Sequence, residues 1–267
     1  MRRALAAASV VLGLALTACG GGSSGTPNPA ATSSATTTTT DSAPANAQLG
    51  GTFARASALP PTVSCTYPSS GQAAKSNSAP PTRGVSAQGA AAITMATSAG
   101  DIGLNLDRAL APCTVNSFLS LAKEGYFDGT RCHRLVTSGI YVLQCGDPSA
   151  AGTGGPGYVF ANEYPTDQYP PSDPRLTQPL NYPRGTIAMA NTGKPDSNGS
   201  QFFLVYKDSP LPPQYTVFGT IDAAGLTALE KVAAAGDDGS QGTAGGGAPK
   251  TPVTITSMKP HPDAPAS

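Results

Sequence analysis

The sequence predicts a mainly β fold, with about eight strands closed into one barrel and helices over its ends. Eight short segments have alternating or continuous apolar residues, and two further segments have the pattern of a helix. All ten lie within roughly 170 residues, from Ala91 onward, and this number of short elements favours a single barrel domain.

The first two strands form a β-hairpin. Residues 93–97 alternate between apolar and polar side chains, and residues 102–106 do so again. Residues 98–101 between them have the composition of a turn, which joins the two strands directly.

A short helix follows the hairpin. Pro112 and Thr114 stand before an apolar stripe, and Gly125 lies beyond its end. Thr114 is the predicted N-cap, because a threonine side chain can accept from the free N–H groups of the first turn. The stripe consists of Val115, Phe118, Leu119 and Ala122.

Six more strands and a second helix complete the predicted order. The second helix covers residues 226–235 and ends at Gly236. The strands are short apolar segments at residues 135–136, 141–144, 186–189, 202–205, 216–220 and 253–256.

The first residues have the composition of a secretion signal. Arg2 and Arg3 precede the apolar residues 4–16, and small residues precede Cys19. A helix over this stretch is too short to cross a hydrocarbon core of roughly 30 Å. The segment resembles a bacterial lipobox, so we predict a signal peptide over residues 1–18 and acylation of Cys19. An ordinary signal peptide with a chance cysteine is the alternative.

Composition divides the rest of the chain. Residues 19–48 are rich in Gly, Ser, Thr, Pro and Ala and cannot bury enough apolar surface to offset their ordering entropy, so we expect a disordered tether. Residues 49–88 have little periodic pattern and are predicted to form a partly ordered extension. The folded domain is predicted over residues 89–260, with a C-terminal tail over residues 261–267.

Charge and motifs exclude several classes of function. The chain has 16 basic and 16 acidic residues, which argues against electrostatic binding of nucleic acid. Its glycine-rich segments, 152–157 and 236–247, have neither a P-loop ending nor the setting of a dinucleotide-binding fingerprint. The sequence has only two histidines, His133 and His261, and no G-x-S-x-G motif, so a serine hydrolase is disfavoured. We predict no metal ion and no other cofactor.

A set of separated motifs identifies a family. They are FDGT (127–130), HR (133–134), QCGD (144–147), GGPGY (154–158), MAN (189–191), NGSQFF (198–203) and VFG (217–219). In this order they resemble the signature of the cyclophilins, which are peptidyl-prolyl cis-trans isomerases. The resemblance covers about residues 91–258. It implies a closed eight-stranded antiparallel β-barrel capped by two helices.

The implied reaction needs no nucleophile and no metal ion. Rotation about a peptide bond meets a barrier of about 20 kcal/mol, because the nitrogen lone pair is delocalised into the carbonyl. A catalyst needs a donor that favours a pyramidal prolyl nitrogen and a dry pocket that holds the ring. Arg134 suits the donor role, since its guanidinium is always charged and rigidly forked.

The resemblance also assigns site residues. Arg134 matches the catalytic arginine, Gln144 the glutamine that helps to position substrate, and Phe203 the ring at the floor of the proline pocket. The substrate-binding residues that it implies are Tyr141, Val142, Met189, Ala190, Asn191, Gln201, Leu211 and Tyr215.

The segment after Arg134 departs from the family pattern. Residues 137–143 are longer than the usual segment, so Tyr141 and Val142 fall where Phe and Met are common. Tyr215 falls where many members have His. If the longer segment displaces Tyr141 from the pocket, a non-catalytic module that holds proline-bearing partners becomes the alternative function.

Four cysteines remain outside the signal region. An even number in an oxidising compartment favours two disulfides, with three possible connectivities. We favour Cys113 with Cys132 and Cys65 with Cys145, because the second bond would fix the extension to the domain near the groove. A metal site of Cys132, His133 and Cys145 is the alternative, and it is disfavoured because no C-x-x-C spacing is present.

These features predict a membrane-tethered, extracytoplasmic cyclophilin that accelerates X-Pro isomerisation and assists the folding of exported polypeptides. Its expected partners are proline-containing polypeptides and, through the lipid anchor, the membrane. The zero net charge and the lack of heptads give no reason to expect assembly, so we predict a monomer. A surface adhesin is a third possibility, which only the tether supports.

Overall fold

The computed structural model describes residues 53–262 of the chain. The predicted signal peptide, Cys19, the tether, the start of the extension and residues 263–267 of the tail lie outside the described residues. No helix within residues 53–262 is long and apolar enough to cross a membrane. The described elements are β1 (Thr62–Val63), β2 (Val85–Ser86), β3 (Ala90–Thr97), β4 (Ile102–Asp107), α1 (Pro112–Lys123), β5 (Thr130–Arg131), β6 (Arg134–Val136), β7 (Val142–Cys145), β8 (Leu180–Tyr182), β9 (Thr186–Met189), β10 (Phe202–Val205), β11 (Ser209–Leu211), β12 (Val217–Ile221), α2 (Ala223–Ala235) and β13 (Thr254–Pro260).

Nine of the strands within residues 53–262 form one antiparallel sheet. Its strand order is β5-β13-β3-β4-β12-β9-β10-β7-β6. The predicted mainly β fold with two helices is confirmed. The predicted hairpin is the pair β3–β4, and the predicted second helix is α2, which ends before Gly236. Helix α2 begins earlier than predicted because Asp222 caps it, accepting from the N–H of Gly225.

The two edge strands of the sheet come from one short stretch of chain. β5 pairs with β13 and β6 pairs with β7, and only Cys132 and His133 separate them. The N–H of Cys132 donates to the carbonyl of Val253 (2.9 Å), and that of His133 donates to the carbonyl of Gln144 (3.1 Å). This stretch accounts for a sheet of nine strands where the sequence predicts eight.

Helix α1 packs an aromatic cluster against the inner face of the sheet. The ring of Phe118 lies 5.0 Å from that of Phe127, 5.2 Å from Phe202 and 5.1 Å from Phe218. All four side chains are buried, and large aromatic rings contribute much of the energy of such a core. Neighbouring residues in a strand face opposite sides of the sheet, so Phe203 faces away from this cluster.

The start of α1 differs from the sequence prediction. The N-cap position is Ala111, which makes no side-chain hydrogen bond, and Thr114 lies in the first turn. Glu163, from a distant loop, accepts from the N–H groups of Cys113 (3.1 Å) and Thr114 (2.8 Å) and from the Thr114 hydroxyl (2.6 Å). The predicted N-cap at Thr114 is therefore wrong, because a carboxylate far away in sequence satisfies the free N–H groups.

The four described cysteines form two disulfides, but not in the pairing that we favoured from the sequence. Cys65 bonds to Cys113, and Cys132 bonds to Cys145. Cys132 stands just before β6 and Cys145 ends β7, so the pairing of these strands brings the two sulfurs together. The first disulfide fixes the extension to the start of α1. The second uses both sulfurs of the alternative metal site with His133, which excludes that site.

Part of the extension lies along residues 152–157, which we call the glycine-rich loop. We call residues 65–78 the strap. The N–H of Ser70 donates to the carbonyl of Gly157, and the N–H of Ala74 donates to the carbonyl of Gly155, both at 2.9 Å. The strap runs antiparallel to this loop, with an isolated bridge between Ser69 and Tyr158.

Candidate active site

Strand pairing brings the three predicted catalytic residues into one row. Arg134 lies opposite Gln144 in the β6–β7 pair, and Gln144 lies opposite Phe203 in the β7–β10 pair. Directly opposed residues of neighbouring strands project from the same face of a sheet. The register of three strands therefore places a guanidinium, an amide and an aromatic ring side by side.

These three side chains line one cavity of about 170 Å³, which we call the first cavity. Phe203 is 5 % exposed and meets the ring of Tyr215 edge-on, with 5.6 Å between the ring centroids. The cavity thus has an aromatic surface beside a cation. Its other lining residues are Ile140, Val142, Ala190, Asn191 and Leu211.

The guanidinium of Arg134 is held from two sides. Its Nε donates to the carbonyl of Gly245 (3.0 Å), its Nη2 donates to the carbonyl of Ala244, and its Nη1 donates to Oε1 of Gln144 (3.3 Å). Burial lowers the pKa of Arg134 from its ordinary value, and Tyr215 acts in the opposite direction. An arginine stays protonated in proteins, so the site keeps a positioned positive charge.

A chain of amide hydrogen bonds leads away from the arginine. Nε2 of Gln144 donates to Oε1 of Gln201 (2.9 Å). Nε2 of Gln201 donates in turn to the carbonyls of Gly152 and Gly154, both at 3.0 Å. Gln201 therefore links the row of Arg134, Gln144 and Phe203 to the glycine-rich loop on which the strap lies.

Two hydrogen bonds fix the wall of the first cavity that carries Tyr215. The buried Tyr182 hydroxyl donates to the carbonyl of Tyr215 (2.9 Å). Burial raises the pKa of Tyr182, so its hydroxyl stays protonated and can donate. Nδ2 of Asn191 donates to the carbonyl of Gln214 (2.8 Å).

The structure brings eight of the eleven predicted site residues to the first cavity, and Tyr141 and Met189 are not among them. The ring of Tyr141, just before β7, contacts other residues: it lies 6.0 Å from that of Tyr206 and 4.4 Å from Nζ of Lys207. Met189 is buried in the core. The eight are Arg134, Val142, Gln144, Ala190, Asn191, Phe203, Leu211 and Tyr215.

Sequence reasoning missed three contributors to this cavity. Ile140 lines this cavity and Tyr141 does not. Ile140 stands two residues before Val142, and the alternation of an extended chain puts such residues on the same side, which was a signal for Ile140. The carbonyls of Ala244 and Gly245 hold the arginine, but a backbone oxygen leaves no signal in the residue type.

A second cavity of about 500 Å³ adjoins the first and shares Gln144, Ala190 and Asn191 with it. Gln201, the remaining predicted site residue, lines this second cavity. The rest of its wall includes the glycine-rich loop and three residues of the strap, which the sequence did not indicate. These strap residues are Ser70, Gly71 and Gln72.

Comparison with known proteins gives consistent matches. A family model described as cyclophilin type peptidyl-prolyl cis-trans isomerase/CLD matches residues 92–260. The chain is 57% identical over 205 residues to a protein of Mycobacterium leprae named probable peptidyl-prolyl cis-trans isomerase B, covering 74% of this chain and 66% of that protein. It is 62% identical over 170 residues to a protein of the same name from Mycobacterium tuberculosis, covering 62% of this chain and 53% of that protein. The chain thus spans between half and two thirds of these relatives' length.

Solved structures agree with the sequence matches. A crystal structure of a cyclophilin type peptidyl-prolyl cis-trans isomerase from Cryptosporidium parvum has a TM-score of 0.52 and 26% identity, covering 66% of this chain and 100% of that chain. A structure of the same protein in the presence of the dipeptide Ala-Pro has a TM-score of 0.50, covering 64% of this chain and 99% of that chain.

Proposed function

Because the chain belongs to the cyclophilin-type peptidyl-prolyl cis-trans isomerase family, we propose that it accelerates rotation about X-Pro peptide bonds of polypeptides. The observation that carries the proposal is the row of Arg134, Gln144 and Phe203, which project into one cavity. The Ala-Pro dipeptide present with the Cryptosporidium protein supports a proline-containing peptide as the substrate.

The geometry of the first cavity fits this reaction. Phe203, Leu211 and Val142 provide an apolar surface for the proline ring, which keeps water from the amide. The fixed guanidinium of Arg134 donates to the prolyl nitrogen as its lone pair leaves conjugation, and Gln144 keeps that guanidinium in place. These contacts favour the twisted amide over either planar isomer, which is the requirement for catalysis. Removing about 7 kcal/mol from the barrier gives roughly a 10⁵-fold acceleration.

A non-catalytic module that binds proline peptides is the second candidate. The position of Tyr141 outside the first cavity favours it, since this is the displacement that the longer segment after Arg134 predicts. Ile140 and Val142 nevertheless provide apolar surface at this wall, and the arginine is held by three hydrogen bonds. We therefore place the isomerase first.

Replacing Arg134 by Ala in the full chain separates the two candidates. For an isomerase we expect kcat/KM on a proline tetrapeptide to fall by about 10² to 10³, since one charged donor to the transition state is lost. The affinity for the same peptide should change less than about tenfold. Arg131→Ala is the matched control, because Arg131 is exposed and lines neither cavity. A folded wild-type protein with both disulfides and no isomerase activity would leave only the binding module.

We also propose that the barrel closes through residues 130–136. The support is the continuous series of backbone hydrogen bonds from β13, through Cys132 and His133, to β7. If β5 and β6 are counted as one strand, the closed barrel has the predicted eight strands. Slow hydrogen exchange at the amides of Cys132 and His133, comparable to that of β10, is the expected result, and fast exchange at both would contradict closure.

Residues outside the described part carry the proposed location. We propose that residues 1–18 direct export, that Cys19 is acylated, and that residues 19–48 tether a monomeric, extracytoplasmic domain to the membrane. Two disulfides in the described residues support an oxidising compartment. The clients would then be exported polypeptides in the course of folding. Incorporation of labelled palmitate into the wild type but not into Cys19→Ser is the expected result, and equal labelling would contradict it.

A further inference from the structure

The second cavity is partly built by residues from outside the domain predicted from the sequence. Gln72 and its neighbours in the strap, Ser70 and Gly71, form one wall. Gln201 and Asn191 also line this cavity, and Asn191 lines the first cavity as well. A polypeptide whose proline occupies the first cavity therefore has a side chain from a nearby residue within reach of the strap.

Both ends of the strap are anchored. The disulfide between Cys65 and Cys113 fixes one end to α1. Near the other end, Nζ of Lys75 donates to the carbonyls of Gly125 (2.7 Å) and Asp128 (2.9 Å). An ammonium that donates to two carbonyls holds the backbone in place more firmly than neutral contacts do.

Aromatic packing holds the strap between these two anchors. The ring of Tyr67 meets those of Tyr158 and Phe160 edge-on, at centroid distances of 5.5 and 5.7 Å. Its hydroxyl donates to the carbonyl of Cys113 (2.8 Å) and accepts from Nδ2 of Asn116 (2.9 Å). The strap is thus a preformed part of the wall, so a ligand does not have to order it.

The lining of the second cavity is polar but uncharged. None of the described residues that line it is Asp, Glu, Lys, Arg or His. The side chains of Gln72, Gln144, Asn191 and Gln201 provide amides, each of which has both donors and an acceptor. A charged side chain placed here would lose hydration without forming an ion pair with the lining, whereas an uncharged amide can exchange hydrogen bonds with it.

We propose that the strap makes the second cavity a specificity pocket, which selects substrates with an uncharged polar side chain near the proline. Glutamine is the side chain that fits this chemistry best, in preference to the isosteric glutamate and to lysine. The inference rests on the proposed isomerase function, because it assumes that the proline occupies the first cavity.

A peptide series tests the selection. The peptides share one proline, and a single position within three residues on either side of it carries Gln, Glu, Lys or Gly. With the full-length protein, we expect one position at which the Gln peptide has a kcat/KM about tenfold above that of the Glu and Lys peptides. Gln and Glu have nearly the same shape, so their ratio reports on charge rather than on size.

Variants of the strap test whether it is the source of the selection. Gln72→Trp fills the cavity and should lower kcat/KM for the Gln peptide about tenfold more than for the Gly peptide. Gln72→Ala removes one amide with little risk to folding, and it should lower the ratio of Gln to Glu peptides about threefold. Ser76→Trp is the matched control, since Ser76 is an exposed strap residue outside the cavity, and it should leave every ratio unchanged.

The outcomes separate this inference from the proposed function. If the wild type accelerates isomerisation of none of the peptides, the isomerase proposal fails. If the wild type acts on all of them with equal kcat/KM for Gln and Glu at every position, the specificity pocket is overturned and the isomerase stands. A Gln preference that survives in both Gln72 variants would overturn the role of the strap.

Discussion

The first and second cavities share three residues but are built from different kinds of structure. The first stands on the paired strands β6, β7 and β10, whose backbone ladder fixes each side chain in register. The second stands on a glycine-rich loop and the strap, which are held by separate hydrogen bonds and one disulfide. When one hydrogen bond between paired strands is lost, the neighbouring bonds still hold both strands in place. Loss of one contact to a loop can let the loop become mobile. We therefore expect changes that disorder the second cavity to leave the first nearly intact.

Removal of the strap disulfide should give the largest separation of the two cavities. In the double variant Cys65→Ser and Cys113→Ser, a cross-link between residues 48 apart is lost, which lowers the free energy of unfolding by about 4 kcal/mol. The preference for Gln over Glu peptides should disappear, while kcat/KM for the Gly peptide stays within about threefold of the wild type. Urea unfolding and the peptide series measure the two effects.

The other disulfide provides the contrast. Cys132→Ser with Cys145→Ser opens a link between residues 13 apart, and the loop-entropy cost is smaller, about 3 kcal/mol. These cysteines stand beside the row of Arg134, Gln144 and Phe203, since Cys145 follows Gln144 directly. This variant should lower kcat/KM for all peptides and leave their ratio unchanged. The same kinetic pattern in both double variants would show that the cavities are not separable.

This contrast also separates what the sequence could predict from what it could not. The strands and the placement of Arg134, Gln144 and Phe203 in one row were predictable, because alternation is local and the motifs that contain these residues have a recognisable order. The strap, the disulfide pairing and the Glu163 contact with α1 depend on which distant segments meet. A single sequence has no local signal for such contacts, and so the extension gave only a prediction of partial order.

The glycine-rich loop itself should depend on Asp147, which is 0% exposed. Its carboxylate accepts from the N–H and hydroxyl of Ser149, both at 2.7 Å, and from the N–H of Gly154 at 2.9 Å. Asp147→Asn replaces one acceptor by a donor that faces N–H groups. We expect the free energy of unfolding to fall by about 2 kcal/mol, with a larger relative loss of the Gln preference than of turnover.

The stabilisation by Asp147 should depend on pH. Burial alone would raise the pKa of Asp147, but the hydrogen bonds from Ser149 and Gly154 outweigh it and lower the pKa. The stabilisation is therefore fully present above the unfolded-state pKa, near 3.9, and is lost as the pH falls through the lower folded-state value. The difference in unfolding free energy between wild type and Asp147→Asn should shrink from pH 7 to pH 3. A constant difference would contradict this assignment.

Gln201 connects the two cavities, and its variants should have a smaller effect. Gln201→Ala removes the link between Gln144 and the loop, which costs about 1 kcal/mol, or about fivefold in kcat/KM. Gln201→Glu keeps an acceptor for Gln144 but loses the donor to Gly152 and Gly154. It should retain more turnover than Gln201→Ala while losing the Gln preference to the same extent. Equal turnover of the two variants would show that the bond to Gln144 does not position Arg134.

His133 should produce the smallest effect, and nearer neutral pH than the effect of Asp147. It is 8% exposed, and neither ring nitrogen has a hydrogen-bond partner among the described residues. Burial lowers its pKa, the charge of Asp147 opposes this, and the charge of Arg134 adds to it. The unfolded chain binds a proton near pH 6.5 and the folded protein only at lower pH, so acidification favours unfolding. In His133→Phe, the free energy of unfolding should fall less between pH 7.5 and pH 5.5 than in the wild type.

Urea titrations at these two pH values measure the difference, with His261→Phe as the control at an exposed position. Asp147 loses its stabilising charge only below about pH 4, so the wild type should have two separate steps of acid destabilisation. The step near neutral pH comes from His133, which stands between β5 and β6, and the acidic step comes from Asp147, which holds the loop under the strap. If His133→Phe removed the acidic step, or Asp147→Asn the neutral one, the assignment of the neutral step to His133 and of the acidic step to Asp147 would be wrong.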